Sequence, residues 1–578
     1  MKNLLNLSFL FLAIIIADQS NAIEFKEVPR KDTVIFENIE GRVPIPNNMN
    51  PYIAGQYLDW GMWQATQESL FYYNYETGEM MPWLAKSFEF NSDFTQVTIK
   101  LREGVKWSDG KPFSAKDVVF TINMLKKNPE LQFSAEMNQF VAEVKESGKH
   151  TVSFQLTQPS PSFIFSYFSV RIWNAVLIVP EHIWANKDPL KFANFDLDAG
   201  LPLGTGPYRL VRSTETETVF DRLDSWWASE TGFHDMPVPK RVIWISVGSE
   251  DARAAMAVNN ELDAMWLFNR SSFEIAQKRN KNIVAWYEEL PYAYLDPCPR
   301  YLGLNNAKAP LNDSEIRRAV NHAIKRDQIV TIAYEGMNEP AATLLPTYPA
   351  LKAFLDRNAS VFEKYPVIDP DLTKVKAIMS RKGFSRDKDG FWVGSDGARV
   401  RIDIITRSGE TDKMKMGPIL VQQLVDAGFE ATFRALESAV FYNDVSKGTA
   451  TAFITDLCNS VRDPYATFAA FHSRFAVPIG ESVPGSVASR FANDEYDALI
   501  DKMSVLSSDD PAFSKAADSA LEIWVRELPA IPLVQAYLLT PFNNTYWKNW
   551  PNAKNNYIHP GHWWVTGNLM ILNLKPAQ

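Results

Sequence analysis

Apolar and polar residues alternate over "VTIKL": Val97, Ile99 and Leu101 share one face, and Thr98 and Lys100 the other, which predicts a half-buried strand. "SDG" at 108–110 supplies a turn. Beyond it, Ser114 and Asp117 have capping-box spacing, and Val118, Val119, Ile122 and Leu125 follow at helical intervals. In "DSEIRRAVNHAIKRDQIV" the residues Ile316, Ala319, Val320, Ala323 and Ile324 predict one amphipathic helix. Asp369 and Pro370 are expected to open another helix as N-cap and first residue, with Gly383 ending it. The turns "KDG" at 388–390 and "SDG" at 395–397 precede a strand, "RVRIDIIT". "GPILVQQLVDAGFEATFRA" then reads as a helix closed by Gly428 and a second strand, so the crossover predicts a parallel α/β layer. The first half is richer in strands and turns, the middle is α/β, and neither a repeat nor a low-complexity linker separates them.

A length of 578 residues predicts several domains or one large multi-lobed body, and 46% apolar with 22% charged residues is globular composition. Net charge is −9 with no basic block, which argues against a nucleic-acid partner. The start, "MKNLLNLSFLFLAIIIADQSNA", has Lys2, an apolar core from Leu4 to Ala17, then Ser20 and Ala22 at positions −3 and −1 of a cleavage site. It reads as a secretory signal cleaved after Ala22, so that the mature chain begins at Ile23. With no cysteine at that site the protein is not a lipoprotein, and the expected compartment is the periplasm. Export makes a disulfide between the two cysteines, Cys298 and Cys458, chemically possible, and two buried free thiols fit equally.

Catalytic signatures are sparse: no Gly-x-Ser-x-Gly, His-Glu-x-x-His or Gly-x4-Gly-Lys motif occurs. His559 and His562 in "HPGH" lack a nearby carboxylate or cysteine, and read as solvated imidazoles on a turn rather than as metal ligands. "RDKDG" at 386–390 lacks the spaced acids of a calcium loop and reads as a hairpin turn. No cofactor, metal or catalytic residue is expected, and the balance leans toward binding rather than turnover.

Five blocks, in order, carry a family resemblance: "LREGVKWSDGKPFSAKDVVFTI", "GTGPYRL" at 204–210, "YLGLNNAKAPLNDSEIRRAVNHAIKRDQIV" at 301–330, "DPYATFAAFHS" at 463–473 and "LPAIPLVQ" at 528–535. Together they resemble the family 5 extracytoplasmic solute-binding proteins, receptors of ABC importers for oligopeptides, dipeptides, nickel and oligosaccharides. The resemblance implies an α/β, two-lobed periplasmic binding protein with two hinge strands and an extra β-rich subdomain in the first lobe. By analogy lobe I comprises 23–66, 201–300 and 540–578, its extra subdomain 67–200, and lobe II 301–539, after a signal peptide at 1–22. The hinges are expected near Tyr301–Asn305 and Leu533–Phe542. The implied partners are an inner-membrane permease and its ATPase subunits, with the receptor itself a monomer that works by closing on its ligand.

Peptide-binding members of the family usually carry an aspartate three residues before the aspartate of an Asp-Pro motif. Here Asp463 and Pro464 are the motif, the position three before is Ser460, Asp456 is displaced by four, and Arg462 adds a positive charge. Within the tail "TYWKNWPNAKNNYIHPGHWW", residues 545–564, the stretch "YWKNWPNAKNNY" followed by "LNLKP" at 572–576 resembles the oligosaccharide-binding branch. Indoles offer flat platforms for sugar rings, and asparagines offer hydrogen bonds to their hydroxyls. Trp547, Asn549, Trp550 and Asn552 are therefore candidates for the cleft, with Trp60 and Trp63 behind them, while Trp563 and Trp564 are expected to pack into the lobe. Sugar-binding relatives often show "GWTD" where this chain has "GETD", so Glu410 replaces a stacking tryptophan as a candidate acceptor at the rim. The expected function is capture of a short oligomer, oligosaccharide ahead of oligopeptide, with a secreted glycoside hydrolase as the alternative from another class.

Overall fold

A computed structural model describes residues 27–38, 41–53, 60–172, 175–483 and 487–577. The export signal and its cleavage site lie outside the described residues.

In the first lobe, strand Thr33–Asn38 pairs in parallel with Arg241–Ser246, and Glu217–Arg222 and Tyr208–Ser213 complete a four-stranded sheet. Beside it stands a four-stranded antiparallel sheet in the order Ala85–Phe90, Gln96–Leu101, Thr151–Leu156, Val141–Gly148. Its second strand buries Val97, Ile99 and Leu101, the face that the alternation predicts. Helix Ala115–Lys127 starts at the expected capping box: the Ser114 amide donates to Asp117 Oδ2 at 2.9 Å, and the Ser114 hydroxyl accepts from Lys116 N. One apolar core unites these elements with the tail residues Phe542, Trp547, Trp550 and Leu569.

A second core runs from Tyr301 to Val534. Its six-stranded sheet has the order Glu339–Pro340, Ala530–Gln535, Arg300–Leu304, Ala452–Asp456, Arg401–Arg407, Glu430–Leu436. The last two strands are parallel and joined by helix Thr411–Asp426, as the sequence pattern predicts. Gly303 pairs directly with Phe453, and a Cβ there would lie 2.3 Å from the Phe453 ring, so the central strand admits no side chain at that point.

Three local expectations are corrected. The helix expected over 313–330 is two helices, Ser314–His322 and Arg326–Tyr334. The break falls where Gln423, from a distant helix, accepts from the Lys325 amide and donates to the Lys325 carbonyl, replacing intrahelical partners. The later helix, Leu372–Arg381, is capped by Asp371, whose carboxylate accepts from Thr373 N and Lys374 N, rather than by Asp369. Tyr301–Asn305, expected at a hinge, lies wholly inside the second lobe's sheet or at its end. The chain instead crosses between lobes just before it, where Tyr294–Leu295 pairs antiparallel with Tyr537–Leu538. The Leu533–Phe542 segment does contain the second crossing.

Cys298 and Cys458 form a disulfide across 160 residues of chain, tying the first crossing segment to the end of strand Ala452–Asp456. Closing a long loop restricts the unfolded chain, which typically stabilises by about 2–4 kcal/mol. The Cys298→Ser/Cys458→Ser double variant is expected to unfold at lower denaturant than the oxidised protein. Equal midpoints for the two in a urea titration would show that the bridge contributes nothing.

Candidate functional site

Between the lobes lies a cavity of about 500 Å³, within the roughly 300–1,000 Å³ of small-molecule sites. The first lobe contributes Trp266, Trp563 and Trp564, and the second lobe Phe441 and Tyr442. Trp563 stands edge-on to Trp266, with ring centroids 4.3 Å apart, so each fixes the plane of the other. Trp564 packs edge-on to His559 at 4.1 Å, and His559 stacks on Tyr75 at 4.9 Å. Both histidines of "HPGH" are buried rather than solvated: His559 Nε2 meets the Thr566 hydroxyl and His562 Nε2 meets the Glu37 carbonyl. Burial holds the His559 imidazole well below its ordinary pKa and brings His562 down to about 4, so both are neutral supports.

The charged wall has four carboxylates, Asp296, Glu410, Asp412 and Asp456, and three cations, Arg300, Arg407 and Lys413. All of them are paired. Arg300 donates to Asp296 at 2.8 Å and to Asp412 at 3.0 Å. Lys413 joins Glu410 at 2.6 Å and Asp456 at 2.5 Å, and Arg407 reaches Glu410 at 2.8 Å. Burial pushes the Asp412 carboxyl up, but Arg300 and Lys413 outweigh it and hold the group below the usual carboxylate range. Asp456 is likewise lowered: burial raises it, and Lys413 and Arg300 prevail. Lys413 is raised in turn, because Asp456 and Glu410 outweigh its desolvation. Burial lifts Asp296 to about 7, because Arg300, which pulls it down, is shared with Asp412 and Asp456.

Residues 79–476 match the family of bacterial extracellular solute-binding proteins, family 5, middle region. The chain belongs to this family. Among solved structures, a periplasmic oligopeptide-binding protein of an ABC transporter from Thermotoga maritima superposes with a TM-score of 0.84 and 27% identity, covering 95% of this chain and all of that one. Its mannohexaose-bound form superposes with a TM-score of 0.81 and 27% identity, over 95% of this chain and 99% of that one. The dipeptide-binding protein of Escherichia coli K12 is 27% identical over 334 residues, 54% of this chain and 57% of the relative. The chain thus matches little more than half the length of that curated relative. The two-lobed α/β fold is that of the solved periplasmic binding proteins. No helix among the described residues is long and apolar enough to cross a membrane.

Of the ligand-binding candidates named from the sequence of this solute-binding protein, Glu410 lines the cavity, while Trp547, Asn549, Trp550, Asn552, Asp463, Trp60 and Trp63 do not; the two cysteines and Asp456 line it as well. Trp550 lies flat on Phe542, centroids 4.6 Å apart, and Trp547 donates its indole N–H to the Thr33 carbonyl. Both belong to the first lobe's core, because rings this size gain most by packing where apolar partners already stand. Asn549 and Asn552 line, with Trp550, a separate cavity of about 420 Å³ that no second-lobe core residue borders, and there Asn549 Nδ2 donates to the Asn573 carbonyl and Asn552 Nδ2 to the Trp550 carbonyl. Trp60 and Trp63 are buried in the first lobe. Asp463 pairs with Arg462 at 3.1 Å and accepts from Tyr465 N, away from the cavity. Ser460, at the position of the peptide binders' aspartate, is tied to Thr467 by two hydrogen bonds. Trp563 and Trp564, expected in the packing, are buried and also form the cavity wall. Trp266, Arg300, Asp412 and Lys413 were not anticipated. The alternating charges of "RSGETDK" at 407–413 are the signal that points to Asp412 and Lys413, while no local pattern marks Trp266 or Arg300.

Two outcomes follow. Trp550→Ala is expected to cost about 3–5 kcal/mol of stability, as for other buried aromatics, and to change the folded fraction's affinity far less than the loss of a cavity-wall ring does. Trp563→Ala is expected to weaken ligand binding at least tenfold, about 1.4 kcal/mol. Calorimetric titration beside thermal melts separates the two, and the reverse assignment would return Trp550 to the cleft. For pH, folded Asp296 keeps its proton up to about 7 whereas an unfolded aspartate loses it near 4. The folded state therefore binds the extra proton across that window, and stability falls as pH rises through it. Asp296→Asn is expected to flatten this decline between about pH 4 and 7; an unchanged slope would mean that Asp296 is already ionised.

Proposed function

We propose that this chain is the periplasmic receptor of an ABC importer, exported on residues 1–22, that captures a short neutral oligosaccharide between its lobes and delivers it to an inner-membrane permease. The observation that carries the ligand class is the charge pairing around the cavity: each lining carboxylate is within hydrogen-bond reach of a protein cation. A zwitterionic peptide entering there must desolvate two charges with no free partner, which is costly. A sugar brings no charge. Its hydroxyls can donate to the remaining lone pairs of paired carboxylates, and its apolar faces can lie on Trp563, Trp564, Phe441 or Tyr442. The serine at 460 supports the same reading, as does the mannohexaose carried by a neighbour of similar fold.

An oligopeptide is the second reading, favoured by the dipeptide-binding relative. A thermal-shift panel of neutral oligosaccharides and peptides decides between them: ligand at a hundred times its dissociation constant stabilises by about 2.7 kcal/mol. We expect the sugars to give that shift, to make the protein more compact in solution scattering, and to be recovered uncut. Peptides alone shifting the melt would overturn the sugar reading, and a hydrolysed ligand would overturn the receptor role.

A further inference from the structure

A second cavity, of about 330 Å³, adjoins the first. Trp266, Leu267, Gly409, Thr411, Asp412 and Leu538 line both, so the two are neighbouring chambers that share a wall containing Trp266 and Asp412. The Trp266 ring is set there from two sides. Its backbone N–H donates to buried Glu37 Oε2 at 2.7 Å, and its ring meets Trp563 edge-on. Being only half-buried, the ring leaves surface toward the space it divides.

The second chamber is also built from both lobes. Glu37, Arg253 and Asn269 come from the first, and Tyr334, Met337 and Lys415 from the second. Lys415 Nζ donates across the gap to Asn269 Oδ1 at 2.9 Å. Two ion-paired carboxylates line this chamber as well, Glu37 with Arg253 and Asp412 with Arg300 and the Tyr334 hydroxyl. Glu250 and Lys415 differ, since both are held by Asn269: Glu250 accepts from its amide N–H and Nδ2, and Lys415 donates to its Oδ1. The aromatic platform of Trp266 therefore stands between a chamber of ion-paired charges and one that adds a carboxylate and an ammonium held by a neutral amide.

Resting on the reading of the interlobe cleft as the ligand site, we propose that the ligand is a linear oligomer threading both chambers past Trp266, which makes Trp266 the residue that sets the preference for chain length. A chain confined to the first chamber touches the wall of Trp563 and Trp564. A longer one adds contacts to both lobes in the second chamber, and only contacts that exist in the closed state favour closure. Affinity then rises with chain length until the second chamber is full.

The test is calorimetric titration with two ladders, mannose oligomers of two to six units and alanine peptides of two to six residues. The proteins are the wild type, Gly248→Trp and Trp266→Ala. Gly248 lines the second chamber and not the first, and a Cβ built on it meets nothing within 4 Å, so a side chain begins there without a clash and Gly248→Trp is chosen to narrow that room. In the ladder that binds, the hexamer should bind the wild type at least tenfold more tightly than the dimer. Gly248→Trp should remove that advantage while changing dimer affinity less than twofold. Trp266→Ala should weaken the hexamer at least tenfold more than the dimer. Equal affinity along the ladder, or an equal loss for both lengths in both variants, overturns the two-chamber proposal and makes the second chamber a water-filled recess. If the length pattern appears with peptides alone, the two-chamber proposal stands and the sugar reading falls. If neither ladder binds, both fall.

Discussion

The guanidinium of Arg300 lies inside the protein where the chain leaves its crossing segment and becomes the central strand of the second lobe. It is bonded to Asp296 behind it on the same segment, to Asp412 at the start of a helix, and to the Cys298 carbonyl, with Asp456 on the neighbouring strand 3.8 Å away. A buried cation is tolerable only with such partners, and removing one partner of a buried pair commonly costs about 3–5 kcal/mol. The crossing strand, the central sheet and the helix that carries Lys413 are thus set relative to one another by one side chain. The disulfide joins the same two strands one turn of chain away. The cavity wall inherits this rigidity, since the groups that face a ligand are the groups that hold the lobe's edge.

What brings the two lobes together combines a buried cluster, in which Tyr75, Phe165 and Trp564 of the first lobe pack with Tyr348 and Val461 of the second, with contacts at its edges. On one side the Ser271 amide and hydroxyl reach Glu335, and Lys415 reaches Asn269. On the other, Arg462 lies 4.2 Å over the Phe165 ring and Tyr75 packs 4.6 Å from Tyr348. The polar contacts are solvent-exposed, and exposed contacts of this kind contribute about 0–1 kcal/mol each. The interlobe space between them is lined by aromatic rings and pre-paired charges. On the proposed function, a ligand filling it would touch both lobes, and contacts of that kind are what couple capture to closure.

This division explains which parts the sequence revealed. The Ser114–Asp117 box, the Val97–Ile99–Leu101 face and the parallel crossover over 401–436 depend on residues a few positions apart, so local patterns announce them. The helix break at Lys325 depends on Gln423, and the setting of Arg300 on Asp412 and Asp456, all far away in the chain. No local period encodes such pairs. The family blocks located the fold and the Glu410 loop, but not the facing of the tail. Whether a loop indole turns inward or toward a cleft depends on what stands opposite it, and composition is blind to that.

The tail's tryptophans still bear on the site, by another route than stacking on a ligand. After the second crossing the chain must return to the first lobe and be fastened there. Trp547 does this by donating to the Thr33 carbonyl, on the lobe's first strand, and Trp550 by lying on Phe542, which belongs to the returning segment itself. Phe36, on that same first strand, meets Trp550 edge-on at 6.2 Å and stacks on His562 at 5.5 Å. His562 in turn holds the Glu37 carbonyl and stands against Trp563. A continuous run of packed rings therefore leads from Trp550 to the cavity wall, and Glu37, at the end of that strand, fixes the Trp266 backbone as well. The core rings of the tail determine where the cleft rings stand. Their burial is the means by which a loop-like segment with no regular period presents Trp563 and Trp564 to the space between the lobes.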